Sequence, residues 1–382
     1  MPKIKMAAMR YTQGGREMYL TAMSAGELVN MVSRPERWDH KNMDQHGNRP
    51  HSGPHTKGIV KYLDDNEDFV LGAAVLYLTS NESSFKELQI EGVTDDTDAA
   101  TIGTLTVDVG TRFEVGDGQH RLRAYETIFR GRGTSDPTVQ RLRESGQPLI
   151  IVIEDDPRKR GQDFFDLQQN VKPMTKSVGQ ALDRRQPISQ CLDRLVNSNI
   201  LLKGRVDYSK DTPGKNSDEV ASFKTVHYCS GLILVGNKYR TPATMDAAVN
   251  AQLTEDNDTA TQKIHEFWDA MADLPLFAQL VAGELATPEI RQDTYLLSAN
   301  VLYAIALAVY RAYDKGTPIQ DAVASLTNVR FERTTKTGGI TMYDTIFAGN
   351  LVDTTTGKLL SGRDNWEAAA DLLHEHIART AL

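Results

Sequence analysis

The chain has little cysteine: 382 residues contain only Cys191 and Cys229. Two thiols cannot build a disulfide framework, their spacing fits no zinc motif, and they suit a reducing compartment. Long apolar runs are absent too. The most hydrophobic stretch, residues 295–310, is interrupted by Ser298 and Asn300 and is shorter than the roughly 20 residues a bilayer span requires. It reads as a buried core helix, so no membrane partner is expected. The first ten residues lack the apolar centre of a signal peptide, and the expected location is cytoplasmic. Positive charge is in deficit, 43 Lys and Arg against 51 Asp and Glu, a net charge of −8. That balance argues against a protein coated for non-specific nucleic-acid binding, although a local basic patch remains compatible with it. No internal repeat or low-complexity tract is evident.

What is present is an ordinary globular composition, 40% hydrophobic and 25% charged, on a chain long enough for two domains. A change of texture places the boundary near residue 186. Residues 1–186 mix strands and helices, and residues 187–382 are mainly helical. Charge is unevenly spread: residues 61–118 carry 3 basic against 13 acidic side chains, and residues 119–185 carry 13 against 9. Such a sign change suits either a cleft that holds an anion beside a cation or two solvated faces.

The sign changes at the most informative stretch, residues 104–131, TLTVDVGTRFEVGDGQHRLRAYETIFRG. Two β-rich segments, 105–109 and 112–115, lead into Gly116-Asp117-Gly118, and a helical pattern follows. Leu122, Tyr125, Ile128 and Phe129 recur at helical spacing and are expected to face inward, with Gln119, Arg123 and Glu126 on the other side. A strand–glycine turn–helix unit favours an anion. Glycines allow close backbone approach, the first helical N–H groups are unpaired, and the helix dipole adds about half a positive charge. Arg121 offers a guanidinium fork for phosphate oxygens. His120 can donate, accept or move a proton. Asp117 suits either a helix cap or a divalent-cation ligand. The simpler reading is a tight turn and nothing more.

A second polar cluster follows a helix that Asp156-Pro157 should start. Its pattern puts Phe164, Phe165, Leu167 and Val171 inward and Gln162, Asp166, Gln169 and Asn170 outward. Pro173 ends it between Lys172 and Lys176, and Ser177 with Gln180 reads as a capping box for the next helix. Elsewhere, strands are expected at 3–11 and 17–22 around a Gly14-Gly15 turn, then a helix capped by Ser24. Residues 35–57 read as a loop whose His46, His51 and His55 face solvent rather than a metal. Further expectations are a helix end at 58–66, a strand at 70–79, a solvated loop or hairpin at 80–101, a helix at 137–144 and a strand at 149–153. Helices are expected at 188–197, 220–235, 243–253, 260–272, 287–313, 319–326 and 366–380. A small hairpin should lie within 340–360, with turn signals at 354–357.

The run Asp117-Gly118-Gln119-His120-Arg121 resembles the signature of the DGQHR-domain family, whose best-known members are DndB-type proteins of DNA phosphorothioation systems. Residues 164–177, FFDLQQNVKPMTKS, resemble that family's second motif, and the tail around Tyr343, Trp366 and His376 is loosely similar. More distantly, residues 118–124 look like the G-E-R-R-x-R-A segment of ParB-type proteins, with Gly118, Arg121, Arg123 and Ala124 matching. Gln119 and His120 depart from that pattern. The resemblance implies an α+β architecture: a ParB/sulfiredoxin-like mixed-sheet domain followed by a mainly α-helical interaction domain. It also implies a phosphate or nucleotide site of Gly116, Gly118, Gln119, Arg121, Asn170 and Lys172. Asp117 and His120 would be its chemical groups, and Asp117 its metal ligand. The cofactor implied is ATP or another nucleoside triphosphate with Mg²⁺. The nearest equivalent of a family Gln-Arg pair is Asn48-Arg49.

Two functions compete. One is a DNA-binding regulator or accessory of a DNA-modification system, partnered by operator or modified DNA and by other proteins of that system, with self-association left open. Its candidate patch comprises Arg130, Arg132, Arg141, Arg143, Arg158, Lys159, Arg160, Arg184 and Arg185, centred on Arg158, Lys159 and Arg160. The other is a nucleoside triphosphatase in which Arg121 and Lys172 neutralise phosphate charge. Nuclease activity is the weaker third, because the turn supplies one carboxylate where two-metal hydrolysis wants several.

Overall fold

The computed structural model describes residues 2–32, 52–88, 100–169, 175–183, 185–333, 335–337, 340–342 and 345–380. Asn170 and Lys172 lie outside them, as do His46, Asn48, Arg49, His51, Val171, Pro173, Arg184 and Tyr343. The chain divides into two compact units, Met1–Lys172 and Pro173–Leu382. The architecture is α+β, with the large sheet in the first unit and most helices in the second.

The first unit opens on β1 (Lys3–Gln13) and β2 (Arg16–Ser24). Gly14 and Gly15 join them with φ of 59° and 74°, the paired positive angles of a tight hairpin that glycine adopts without strain. Ser24 caps α1 (Ala25–Met31) by accepting the Glu27 N–H, and the Ser24 hydroxyl donates to the Glu27 carboxylate. Next come α2 (Gly53–Asp65), β3 (Ala74–Leu78), β4 (Ser83–Glu87), β5 (Ala100–Asp108) and β6 (Glu114–Asp117). Then follow α3 (Gln119–Gly131), α4 (Pro137–Glu144), β7 (Gly146–Ile153) and α5 (Pro157–Gln169). The strands form one sheet in the order β4-β5-β1-β2-β7-β3-β6, with β3 parallel to β7 and the other pairs antiparallel. Period-two alternation sends Met6, Ala8, Tyr19, Leu76, Leu105, Leu149 and Ile151 to the face on which Leu28, Leu63, Leu122, Tyr125, Ile128 and Leu142 of the helices pack.

Three expectations change here. Helix α2 begins at Gly53, so His55 is helical and not a loop residue. Ser52 followed by Pro54 is the start signal, proline being tolerated where no intrahelical N–H is needed. The strand expected over 70–79 contracts to Ala74–Leu78. On α5 the apolar residues do not all turn inward: Phe165 and Leu167 are 54% and 43% exposed. The inward face is ionic instead. Arg16 grips Asp163 through two bonds of 2.6 and 2.8 Å, the Tyr77 hydroxyl donates to Asp163 at 3.0 Å, and Arg160 is buried against Glu114 and the Glu154 carbonyl.

In the second unit, α6 (Lys176–Leu182) is capped by Thr175. Ser177, expected as the cap, lies inside the helix, fully buried and bonded to Asp211 and the Lys210 carbonyl. Helices α7 (Pro187–Ser198), α8 (Phe223–Val235), α9 (Pro242–Glu255) and α10 (Asn257–Ala272) follow. They are succeeded by α11 (Pro275–Ala282), which the periodicity does not mark, and by α12 (Thr287–Asp293) and α13 (Ala299–Asp314). The single helix expected over 287–313 is therefore broken. Tyr295 donates its N–H to the Phe331 carbonyl at 2.7 Å and its buried hydroxyl to the Gly357 carbonyl at 2.8 Å, which draws 294–298 out of helical geometry. α14 (Ile319–Ala324) and α15 (Arg363–Thr380) complete the unit. Helix α13 is its buried centre, with residues 304–309 fully covered. Short strands pair at Thr335–Thr337 and Ile340–Met342, and the turn at 354–357 closes on Asp353, which accepts the N–H groups of Thr355 and Thr356. Cys191 and Cys229 are both free and buried.

Candidate functional site

The signature corner is assembled from β3, β6 and the beginnings of α2 and α3. Strand β6 pairs with β3 so that Val75 faces Asp117 while Leu76 faces Val115, which leaves Gly116 as an extra residue in the ladder. A side chain at Gly116 would stand 2.5 Å from the Tyr77 ring, so only glycine fits. Gly118 then turns with φ of 95°, in the left-handed region, and its carbonyl accepts the first helical bond of α3 from Leu122 at 3.0 Å.

Arg121 does not stand open to the surroundings. Its guanidinium donates to the Gly72 carbonyl, to the Ala73 carbonyl at 3.1 Å and to Asp117 at 3.2 Å, and its side chain is 15% exposed. Gln147 donates to the same Gly72 carbonyl at 2.9 Å while accepting the Tyr125 hydroxyl at 2.6 Å. This buried network fixes residues 72–73 against the turn. The signature thus ties β3, β6, β7 and α3 together before any ligand is considered.

His120 is 6% exposed. Its Nε2 accepts the Ser52 N–H at 3.0 Å, and the His55 ring meets it edge-on with centroids 4.8 Å apart. A neutral ring accepting at Nε2 carries its proton on Nδ1. These contacts join the first turns of α2 and α3. At the other end Arg132, the C-cap of α3, clasps Asp64 of the last turn of α2 through bonds of 2.6 and 2.8 Å. The two 13-residue helices therefore lie side by side and parallel, with their N-termini together. Each N-terminus carries about half a positive charge, and neither first turn holds an acidic residue. Between the helices, starting beside Gly53 and running along α2 away from residues 116–121, is a groove of about 500 Å³ lined by Lys57, Lys61, Asp64, Asp65, Arg123 and Thr127, among others. Sequence reasoning missed Ser52 and His55 as neighbours of the signature, although Ser52-Gly53-Pro54 marks the helix start that puts them there.

The opposite charge blocks seen in the sequence pair with one another. Asp64 meets Arg132, Glu67 meets Arg141 at 3.8 Å, Glu114 meets Arg160, and Asp117 meets Arg121. The Arg132 guanidinium holds the Asp64 carboxyl below the usual carboxylate range. Of the three central candidates for DNA contact, Arg160 is 4% exposed and directed inward, whereas Arg158 and Lys159 are exposed near the start of α5. Among the described residues, no group of three or more His, Cys, Asp and Glu side chains is placed to hold a metal ion. Asp117 would bring a single carboxylate, one already paired with Arg121. That set fits a Mg²⁺ held mainly by a nucleotide's own phosphates, and not one caged by the protein.

A family model for DndB, described as DNA-sulfur modification-associated, matches residues 6–345. The chain belongs to the DndB family. The match spans the signature corner, both charge blocks and most of the helical unit, so this DndB family member has a role in a DNA-sulfur modification system. No curated protein and no solved structure matches the chain. Among the described residues no helix is long and apolar enough to cross a membrane.

Proposed function

We propose that the protein serves the DNA-sulfur modification system as a DNA-binding regulator or accessory, and that it takes a phosphate group where α2 and α3 begin. One observation carries this reading. Two parallel helix N-termini meet at His120 and Ser52 with no acidic side chain in either first turn. Aligned dipoles there favour an anion between them. Lys57 adds positive charge to the groove, where Lys61 is paired with Asp65 and Arg123 with Glu126. Arg121 acts as the brace that shapes the corner, and Gln119 and the N–H groups after Gly118 face the anion. The exposed Arg158 and Lys159 supply DNA-backbone contacts.

The groove volume favours a second reading, since about 500 Å³ falls in the range that holds a nucleotide-sized ligand. In that case the phosphate belongs to a nucleoside triphosphate, and hydrolysis drives the modification machinery. Titration calorimetry with ATP and with inorganic phosphate, beside a phosphate-release assay, separates the two. Lys57→Glu is expected to weaken phosphate or nucleotide binding about tenfold while leaving the melting temperature unchanged. Loss of a promoter gel shift on neutralising Arg158 and Lys159 supports the regulator. If the unaltered chain binds neither phosphate nor nucleotide, the corner is only a structural turn.

A further inference from the structure

Within the first unit, the face of the sheet opposite α1 to α4 is open over β4, β5 and most of β1, whereas on β2 Met18 is buried and α5 holds Arg16. Alternation places Lys3 and Lys5 of β1, Ser84 and Lys86 of β4, and Thr104 and Thr106 of β5 on it, with the lysines and Ser84 exposed. The register sets Lys5, Thr106 and Ser84 in one cross-strand row and Ala7, Thr104 and Lys86 in the next. Of the side chains these four strands turn to this face, only Asp108 is acidic, because Glu17 and Glu87 point to the other side. The result is a basic field of Lys3, Lys5 and Lys86, offset by Asp108 directly opposite Lys3, on a chain whose net charge is −8. Beside it, Ile102, Met9 and Leu20 form an apolar row at 44%, 39% and 43% exposure.

We infer that this face is a platform for the phosphodiester backbone of DNA. Lys3 and Lys5 are separated by about 7 Å along one strand face, a pitch at which two ammonium groups can reach neighbouring phosphates. The hydroxyls of Thr104, Thr106 and Ser84, on β5 and β4 beside the β1 lysines, donate to phosphate oxygens, and the apolar row receives sugar carbons. Lysine and hydroxyl contacts to the backbone position the duplex without reading bases. The platform rests on the DNA-binding reading above and adds a surface separate from Arg158 and Lys159.

Fluorescence anisotropy on the full chain with a duplex of about 20 base pairs, at roughly 50 to 200 mM salt, tests it. The triple variant Lys3→Gln, Lys5→Gln, Lys86→Gln should bind at least tenfold more weakly at low salt. Its salt-dependence slope should fall by roughly 0.9 for each phosphate that the variant no longer neutralises. Circular dichroism should show an unchanged fold, since all three side chains are exposed. Unchanged affinity and slope in the triple variant, with binding intact in the parent chain, would overturn the platform and leave the DNA-binding reading standing. No binding by the parent chain would remove both. Competition by polyglutamate as strong as by DNA would also overturn it, since the face would then recognise acidic protein.

Discussion

At the scale of single residues, one guanidinium explains why Asp117, Gly118 and Arg121 occur together. Arg121 needs the left-handed turn at Gly118 to fold back on the Gly72 and Ala73 carbonyls, and Asp117 balances its charge. A different residue carries the clearest pH dependence. His227, on α8, is 6% exposed, and burial pushes its imidazole down to about 4. Asp246 at 3.8 Å favours the charged ring, but its own carboxyl is raised by desolvation and does not offset the burial. The unfolded chain therefore takes up a proton at this position near pH 6.5 that the folded chain refuses until about pH 4. Stability should fall as pH drops through that window, at up to about 1.4 kcal/mol per pH unit. Denaturant melts of the parent and His227→Gln should diverge between those pH values, the variant losing less. Parallel curves would show that the ring is protonated in the folded state.

At the scale of elements, α5 is held to the sheet by charge more than by apolar contact. Its bonds to the sheet run through Arg16–Asp163, Tyr77–Asp163 and Arg160–Glu114, while Phe165 and Leu167 remain exposed. Asp163→Ala removes three hydrogen bonds to one carboxylate and leaves Arg16 with Glu154 at 3.5 Å. A cost of about 1 to 3 kcal/mol is expected. Hydrogen exchange should accelerate across α5 but not in β7, and exchange of α5 at the parent rate would show that something else holds it. Legibility in the sequence ends at this kind of interaction. Local signals are readable: the Gly14-Gly15 hairpin, the Ser24 cap and the strand–turn–helix at Gly116 to Gln119 all lie within a few residues of the partners that fix them. The strand order, the break at Tyr295 and the outward turn of Phe165 depend on partners tens of residues away. For the site, the signature residues are visible as a motif. Their neighbours Ser52 and His55 are not, because only the parallel packing of α2 on α3 brings them there.

At the scale of the whole molecule, two separate sets of buried side chains divide the chain. Among the described residues, the first unit draws its core from Met6 to Val152 and the second from Ile188 to Ile377, with no residue common to both. The first is a sheet with many long-range pairings, and the second is a helical assembly around α13. Cores that share no side chain should melt as separate cooperative units. Ile151 and Ile305 are both fully buried, one in each core. Truncation to alanine should cost about 2 to 5 kcal/mol at either position, which for units of this size lowers a transition by roughly 5 to 15 °C. Scanning calorimetry should resolve two transitions in the parent chain, one lowered by Ile151→Ala and the other by Ile305→Ala. The expectation fails if both variants lower a single shared transition equally. A nucleic-acid or phosphate ligand at the corner or on the platform touches residues of the first unit, so by mass action it should raise that unit's transition alone. The same scan repeated with ligand then assigns binding to the sheet unit by a shift that neither truncation produces.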